Sequence, residues 1–220
     1  MVTRNQYLNG EGFDRVPICG QIGPDNERTH KMQTKVIETY GIEELEGRAK
    51  ENALEWLREG LDYEWYDFVF EDAKKCASIL GIEIDNIYFS GFYSQGDGAC
   101  FNGRFSYAKG WKKELKMYAP IDRELVRIAQ ELQAIQAPYF YNLSGAIDCN
   151  ERYKSTKAVF HWSDNTPESI ESDLSQAFTD FASWIYLNLE KEWDYLSSEE
   201  QLIETAKAND YAFDSKGRIV

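Results

Sequence analysis

The stretch that decides the fold is IEIDNIYFSGFYSQGDGACFNGRFSY, residues 82–107. Apolar and polar side chains alternate on both sides of its centre, which is the pattern of a half-buried strand. The central SQGDG, residues 94–98, supplies glycines and an aspartate that tolerate the positive φ angles of a tight antiparallel connection. This stretch therefore predicts a β-hairpin whose two strands are joined at residues 94–98.

Helical periodicity surrounds this hairpin on both sides. Apolar residues recur three to five positions apart, and Gly60 and Gly81 stand where helices are expected to end. Residues 109–116 carry four lysines and Trp111, and indicate a basic connector. Asp122 begins one helix, and Asn165, Thr166 and Pro167 indicate the start of the longest one. Helices are predicted at about 34–60, 64–80, 122–136, 167–196 and 197–209.

A second hairpin is predicted from the alternation in residues 139–148 and 156–163, with a turn at 149–152. Two hairpins among helices predict an α+β fold. Its sheet is mostly antiparallel, is built from the hairpins at about 82–107 and 139–163, and is covered by long acidic helices. Residues 1–33 show no sustained periodicity. They indicate an irregular N-terminal arm, followed by a single α+β domain over residues 34–220.

The net charge of −14 is distributed unevenly along the chain. Residues 38–72 contain twelve acids against three bases, and residues 164–210 contain twelve more against two. The predicted helices are therefore acidic and the remainder is mildly basic. We expect a molecule with opposed electrical faces, whose helices repel nucleic-acid phosphates and attract basic partners.

The sequence gives little support to a membrane-spanning, a secreted or a zinc-binding protein. No apolar run approaches the ~20 residues that span a bilayer, and the N-terminal residues lack the apolar segment of a secretory signal. Four scattered cysteines without a CxxC pair, together with two histidines, give little support to a zinc site. We therefore expect no metal, no cofactor and no membrane contact, and a location in the cytoplasm.

The SQGDG turn is a candidate ligand site. Backbone N–H groups flanked by glycines can converge on an anion, and the Gln95 side chain adds a donor and an acceptor that a turn does not need. Neighbouring aromatic residues could stack a nucleotide base. The alternative is a simple hairpin turn whose aromatic neighbours pack in the core. The predicted ligand-binding residues are Ser94, Gln95, Gly96, Asp97 and Gly98 with Tyr93 and Arg104.

The sequence offers weak support for catalysis. Asp97 and Asp148 could form an acid–base pair if the ends of the two hairpins met. His161 belongs to an H-x-S pattern that needs a second such motif, and the chain's other histidine, His30, is not in one. No catalytic residue is assigned, and the balance of the sequence favours a protein that is not an enzyme.

The acidic helices are the second candidate site. Carboxylates spaced along them could imitate the phosphates of nucleic acid or engage a basic protein surface. The alternative is that they only keep the protein soluble. The expected partner is a protein with a basic surface rather than nucleic acid, and a homodimer is a further option. The predicted partner-binding residues are Glu51, Glu55, Glu59, Glu190 and Asp194.

Residues 87–103, IYFSGFYSQGDGACFNG, resemble a family of uncharacterised bacteriophage and prophage proteins with the motif F-S-G-F-x-S-Q-G-D-G-A-x-F-x-G. Residues 61–67, 118–125, 184–186 and 189–196 share the resemblance. It implies a mobile-element origin, and with it the cytoplasm of a host cell and a host protein as the partner, and it carries no catalytic residue. We therefore expect a non-enzymatic accessory protein that inhibits or modulates a host protein, of an anti-defence type that could involve nucleic-acid mimicry. The alternative is a nucleotide-type ligand binder that uses the SQGDG loop.

Overall fold

The structure is a computed structural model that describes residues 38–61, 64–159 and 168–220. Residues 38–220 form one compact unit. The predicted N-terminal arm, both histidines and the predicted last residues of the fourth strand, 160–163, lie outside the described residues.

Four strands and six α-helices make up the described part of the chain. A 3-10 turn, Ile42–Glu44, precedes the first helix, and another, Ala137–Tyr139, follows the fourth. The strands are β1 Ile82–Phe89, β2 Ala99–Phe105, β3 Gly145–Asn150 and β4 Ser155–Val159. The helices are α1 Gly47–Glu59, α2 Asp67–Leu80, α3 Trp111–Tyr118, α4 Arg123–Gln136, α5 Glu168–Leu196 and α6 Glu199–Ala208.

The sheet confirms the predicted α+β class. Its order is β1-β2-β3-β4 and every neighbouring pair is antiparallel, so the two predicted hairpins lie side by side. The register of β1 against β2 shifts between Ile84 and Asn86, which leaves Asp85 as the extra residue of a bulge. The sheet is therefore a simple meander, in which each strand pairs with the next one along the chain.

One face of this sheet is covered by helices, and the main core lies between them. α5 packs across β2 and β4, and α2 packs on β1. Phe101 and Phe105 on β2 meet Phe178 and Phe181 on α5, with the Phe101 and Phe181 ring centroids 5.7 Å apart. Because alternate strand residues face the helices, the pattern of residues 99–105 places its phenylalanines in this core.

A second, smaller cluster joins the two ends of the described chain. The backbones of Tyr40 and Phe213 pair in an isolated bridge, and Phe213 also pairs with Ile219. The chain therefore folds back on itself between residues 213 and 219. The cluster consists of Ile42, Leu45, Ala53, Leu54, Leu57, Leu202, Ala206 and Phe213.

Two glycines hold close approaches that no other residue could make. Gly81 ends α2 in the left-handed conformation with φ 83°, as the sequence predicts, and a Cβ there would lie 2.0 Å from the Ser106 carbonyl oxygen. Gly217, with φ 76°, brings the C-terminal tail against α1, where a Cβ would lie 1.9 Å from the Ala49 carbonyl oxygen. The first glycine fixes the entry to β1, and the second fixes the tail.

Three local predictions are wrong, two in where an element begins and one in the type of element. The first helix begins at Gly47 rather than near residue 34, since Tyr40 lies in a bridge and Leu45 is extended. The basic connector is a helix, α3, because Trp111 and Leu115 are one turn apart and both are buried. The third strand starts at Gly145 rather than 139, because Phe140 and Tyr141 have positive φ angles of 53° and 61°.

The uncovered face of the sheet corrects the expectation of opposed electrical faces. Its exposed charges are three acids, Glu83, Asp85 and Asp148, against two bases, Arg104 and Lys157. Glu83 and Arg104 form an ion pair. The described part of this face is therefore mixed rather than basic, and the acidic helices have no basic face opposite them.

Candidate functional site

The hairpin loop is closed by its own hydrogen bonds. Ser90 N–H donates to the Gly98 carbonyl at 3.0 Å, and Gly98 N–H donates to the Ser90 hydroxyl at 3.2 Å. Within the loop, Ser94 N–H donates to the Asp97 carboxylate at 2.7 Å, and Asp97 N–H donates to the Ser94 carbonyl at 3.2 Å. The Asp97 carboxylate therefore stabilises the conformation of the loop by accepting a hydrogen bond within it. Gln95 is exposed and makes no hydrogen bond within the described part of the chain.

The aromatic residues beside the loop are used in packing. Phe92 contacts the rings of Trp65, Tyr186 and Trp193, with centroids 5.5–6.2 Å apart. Phe101 is fully buried. A base would have to displace these contacts in order to stack, so the loop has a filled underside rather than a pocket.

Arg104 lies far from the other predicted ligand residues. It is six residues beyond Gly98 along β2, which corresponds to roughly 20 Å of extended chain. There its guanidinium pairs with the Glu83 carboxylate at 3.1 Å. Asp148 is likewise separate from Asp97, because it lines a groove on the open face of the sheet. Neither the predicted ligand set nor the acid–base pair is assembled in one place.

The structure instead brings together two sets that the sequence kept apart. The Tyr93 hydroxyl of the loop donates a hydrogen bond to the Asp194 carboxylate of α5, and the Tyr186 hydroxyl donates to the Gly91 carbonyl at 3.2 Å. The bond to Asp194, together with desolvation and the nearby charges, raises the pKa of Tyr93 to about 12. Glu190 contributes a smaller part of that rise. The loop is thus anchored on the acidic C-terminal half of α5.

No sequence pattern links Tyr93 with Asp194, because they are 101 positions apart. The sequence feature that could have indicated this contact is the presence of aromatic residues both in the loop and in residues 186–195, since both sets need apolar partners. This feature predicts that the two segments pack together, but it does not predict which residues pair. The negative charge of Asp194 is consequently engaged by a loop tyrosine rather than left free for a partner.

The predicted partner-binding residues on α1 form an uninterrupted stripe. Glu51, Glu55 and Glu59 are one turn apart and all exposed. None of the three forms an ion pair with any described residue, whereas Lys50 is taken by Glu199 at 2.7 Å. Arg58, another base of α1, donates a hydrogen bond to the Ser197 carbonyl at 3.3 Å. The stripe is therefore a line of negative charge that makes no ion pair with any described residue.

The rest of the described chain offers little catalytic chemistry. Burial raises the pKa of the Cys76 and Cys100 thiols to about 12, so neither is a thiolate at neutral pH. Residues 38–61, 64–159 and 168–220 contain no cluster of three or more His, Cys, Asp or Glu that could hold a metal ion. Over the same ranges, every helix is too short or too polar to cross a bilayer.

Comparison with known proteins adds a family but no described activity. No curated protein and no solved structure matches the chain. A family model matches residues 65–199, which include the whole sheet and the helices that pack on it, α2 to α5. The α1 stripe and all of α6 except its first residue lie outside the match. Since the match covers more than half of the chain, the protein belongs to the family described as "Domain of unknown function (DUF8835)".

Proposed function

We propose that this protein is a non-enzymatic binding protein whose acidic α1 surface engages a basic surface of another protein. In the bacteriophage or prophage setting that the motif resemblance implies, the partner is a host protein, such as a defence complex that normally holds nucleic acid. Occupation of that basic surface inhibits or modulates the partner.

The observation that carries the proposal is the stripe of Glu51, Glu55 and Glu59. Like charges one turn apart destabilise a helix by about 0.2–0.5 kcal/mol for each pair. A basic partner surface would convert this cost into attraction, and it would steer the encounter from a distance. Solubility alone does not require that the three carboxylates share one face.

The spacing of the stripe favours a protein-binding role over close imitation of nucleic acid. Three carboxylates one turn apart cover about 12 Å of helix axis. Duplex DNA carries one charge per ~1.7 Å, so the stripe is a much sparser array. It suits the separated lysines and arginines of a protein surface. Closure of the SQGDG loop on itself also makes small-ligand binding the weaker alternative.

The test compares partner recovery by three forms of the protein. In the stripe variant, Glu51, Glu55 and Glu59 are replaced by Gln. A charge-matched control carries Glu114→Gln, Glu151→Gln and Asp210→Asn, three exposed carboxylates without ion pairs to described residues. Each form is immobilised, exposed to bacterial host lysate at low salt, and its bound proteins are quantified by mass spectrometry.

We expect one or a few basic proteins on the wild type and on the control. Their recovery should fall about tenfold on the stripe variant and should also fall as salt rises, because screening shortens the reach of exposed charges. Equal recovery on the stripe variant and the control would contradict the proposal. So would the recovery of no specific protein at low salt.

A further inference from the structure

The two edge strands of the sheet, β1 and β4, differ in how their outer backbone groups are bonded. On β4, α5 supplies the partners. Ala158 N–H donates to the Ser175 hydroxyl at 3.0 Å. The Thr156 carbonyl accepts from the Thr179 hydroxyl at 3.4 Å. No described residue bonds to the outer side of β1 in this way, so β1 is the open edge of the described sheet and a template for another strand.

The pairing of β1 with β2 identifies which backbone groups of β1 lie on this open edge. At one end of the pairing the Gly81 carbonyl accepts a hydrogen bond at 2.8 Å, and at the other end Ser90 N–H donates one at 3.0 Å. Bonded residues alternate along a strand, so counting from both ends makes the two residues at the bulge, Asp85 and Asn86, face β2 together. The residues whose backbone groups point outward are therefore Ile82, Ile84, Ile87 and Phe89.

The spacing of these four residues restricts what can pair with them. They are separated by steps of two, three and two residues, because the bulge inserts one extra residue at the centre of the strand. A regular strand presents every second residue to its neighbour, so it loses register at the bulge. The spacing is the same in both directions, so a second β1 in antiparallel orientation matches it throughout. The bulge therefore disfavours a regular strand and fits a copy of itself.

The side chains agree with this self-pairing. On the helix-covered face, Ile82 lies opposite Phe89 of the second copy. Ile84 lies opposite Ile87 of the second copy. In one copy Ile84 and Phe89 are only half-buried, and the pairing removes more of their apolar surface from water.

The side of α2 beside the open edge carries a complementary pattern of charge. Lys74 and Ser78 line a groove together with the first residues of β1, so this side of α2 adjoins the edge. Glu71 and Asp67 are on the same side, because each is three or four positions from the next member of the set. All four side chains are exposed. If two copies of α2 run antiparallel across a two-fold axis, Lys74 of each copy lies beside Glu71 of the other.

The strand and the helix require the same two-fold axis. The strand register places the axis midway between residues 85 and 86, and the pairing of Lys74 with Glu71 places it midway between residues 72 and 73. α2 and β1 are antiparallel, because Gly81 joins them at one end and Phe70 meets Phe89 towards the other, with ring centroids 6.0 Å apart. From Gly81 the first midpoint is roughly 15 Å along the strand and the second roughly 13 Å along the helix. The two positions therefore lie at nearly the same level.

Some charges of this edge act against the pairing. Glu83 already pairs with Arg104 at 3.1 Å, and Asp67 lies opposite the uncharged Ser78 of the second copy. Asp85 is exposed beside the axis, so it comes near Asp85 of the second copy, and like charges on neighbouring strands are unfavourable. Bulges and exposed charges are common means of keeping an edge unpaired. Because each copy also has a net charge of −14, we expect a weak and reversible dimer.

We propose that the β1 edge and the adjoining side of α2 form a two-fold dimer interface with a second copy of this chain. The two four-stranded sheets join into one continuous sheet, in which the outward-facing residues of β1 exchange backbone hydrogen bonds. Lys74 of each copy pairs with Glu71 of the other. This interface shares no residue with the α1 stripe, so each surface is tested separately.

The first experiment measures the dissociation constant of the dimer by sedimentation velocity of the full chain, from low micromolar to near-millimolar concentration. Lys74→Glu should weaken the dimer about tenfold, because both symmetry-related pairs become repulsive. The double variant Glu71→Lys/Lys74→Glu should restore it, because the pair is only reversed. Lys113→Glu on α3 makes the same change of charge away from the edge and should dimerise as the wild type does.

Asp85→Asn tests the position of the axis. It should tighten the dimer about threefold, because the repulsion between the two Asp85 carboxylates is removed. Asp148→Asn removes one acid from β3, away from the β1 edge, and is the control. A dimer that Asp85→Asn leaves no tighter than Asp148→Asn does would contradict this position.

Amide hydrogen exchange, measured by NMR, identifies the paired edge. The outward-facing amides of Ile82, Ile84 and Ile87 should gain protection as the concentration rises through the dissociation constant, because they are bonded only in the dimer. The amides of Glu83 and Tyr88 face β2 and should be protected at every concentration.

Three further outcomes would overturn the inference. The first is a wild-type protein that stays monomeric at near-millimolar concentration. The second is a dimer that Lys74→Glu weakens no more than Lys113→Glu does, or that the double variant does not restore. The third is a dimer in which the outward-facing β1 amides gain no protection. The Glu51→Gln/Glu55→Gln/Glu59→Gln variant should dimerise as the wild type does, and loss of its dimer would place the interface on α1 instead.

Discussion

The large core around the sheet contains 26 buried residues of the described chain, whereas the cluster of α1, α6 and the C-terminal tail contains eight. The large core is built from residues 73–189 and lies within the family-matched range. The small cluster is built from two segments about 160 positions apart, which meet through the Tyr40–Phe213 bridge and the bond from Asn52 to the Lys216 carbonyl. The two clusters therefore differ in what each needs in order to form.

This difference indicates how stability is divided. The large core can form once the sheet and α5 are in place, because its segments follow one another along the chain. The small cluster requires both flanks to meet, and each side alone has too little apolar surface to stay folded. We infer that the small cluster opens at a lower free energy than the large core.

The largest effect is expected from a cavity in the large core. Replacing Phe181, which is fully buried between β2 and α5, by Ala should lower the free energy of unfolding by about 3–5 kcal/mol. Chemical denaturation measures this loss. Leu187→Ala on the exposed side of the same helix is the control and should change stability by about 0.5 kcal/mol or less. A loss below about 1 kcal/mol in Phe181→Ala would contradict the assignment of this residue to the core.

A similar cavity in the small cluster should act locally. Phe213 is fully buried, and its ring lies 6.1 Å from the ring of Trp56. In Phe213→Ala the flanks should open before the core does, so the loss of global stability is smaller than in Phe181→Ala. Hydrogen exchange should show loss of protection in α1 and α6 while the sheet keeps its protection.

Ile219→Ala provides the control for that experiment, because Ile219 is 38% exposed and also pairs with Phe213. It should leave the protection of α1 nearly unchanged. Equal loss of protection in the sheet and in α1 upon Phe213→Ala would mean that the two clusters unfold as one. The comparison between them would then fail.

A substitution in the α1 stripe is expected to raise stability, whereas the two preceding substitutions lower it. Glu55→Gln removes two like-charge pairs, with Glu51 and with Glu59, and should stabilise α1 by about 0.4–1 kcal/mol at low salt. The gain should disappear near 1 M salt, where the screening length is about 3 Å. Hydrogen exchange of α1 amides measures it. Glu114→Gln in α3, which is rich in lysine, should give no such gain, and destabilisation of α1 by Glu55→Gln would argue against like-charge repulsion along the stripe.

The smallest effect concerns the loop anchored on α5. Asp194→Asn should lower the pKa of Tyr93 from about 12 towards the ordinary tyrosine value of about 10. Because the pKa of Tyr93 is higher in the folded state than in the unfolded state, the bond stabilises the folded protein fully below about pH 10. This stabilisation is lost as the pH rises through about 12. Tyrosinate absorbance and alkaline unfolding measure these two consequences. Glu192→Gln, on the same helix, is the control; an unchanged Tyr93 titration in Asp194→Asn would exclude the anchor.

Much of the fold could be predicted from local pattern. Alternation in residues 82–107 located the first hairpin, and Gly81 ended α2 because a left-handed residue is needed there. Asp122 accepts a hydrogen bond from Leu125 N–H at 2.9 Å, as its position before a helix predicts. Each of these depends on residues a few positions apart, which is the range over which sequence patterns act.

The site could be predicted only in part. Glu51, Glu55 and Glu59 lie on one exposed face, because helix periodicity fixes which residues share a face. The sequence pattern could not exclude Arg104 from the predicted ligand-binding residues. Arg104 is close to the turn in sequence, but an extended strand places it at the far end of β2.

The sequence by itself determined most elements of this protein, namely the two hairpins and the final two helices, together with the surplus of negative charge; it did not determine α3 or the start of α1. Only the tertiary structure decided that Tyr93 meets Asp194 and that Tyr40 meets Phe213. Hydrogen bonds and side-chain periodicity within an element act over a few residues, so they are written in the local sequence. Contacts between elements depend on how whole faces pack to bury apolar area, and that balance is not contained in any single stretch.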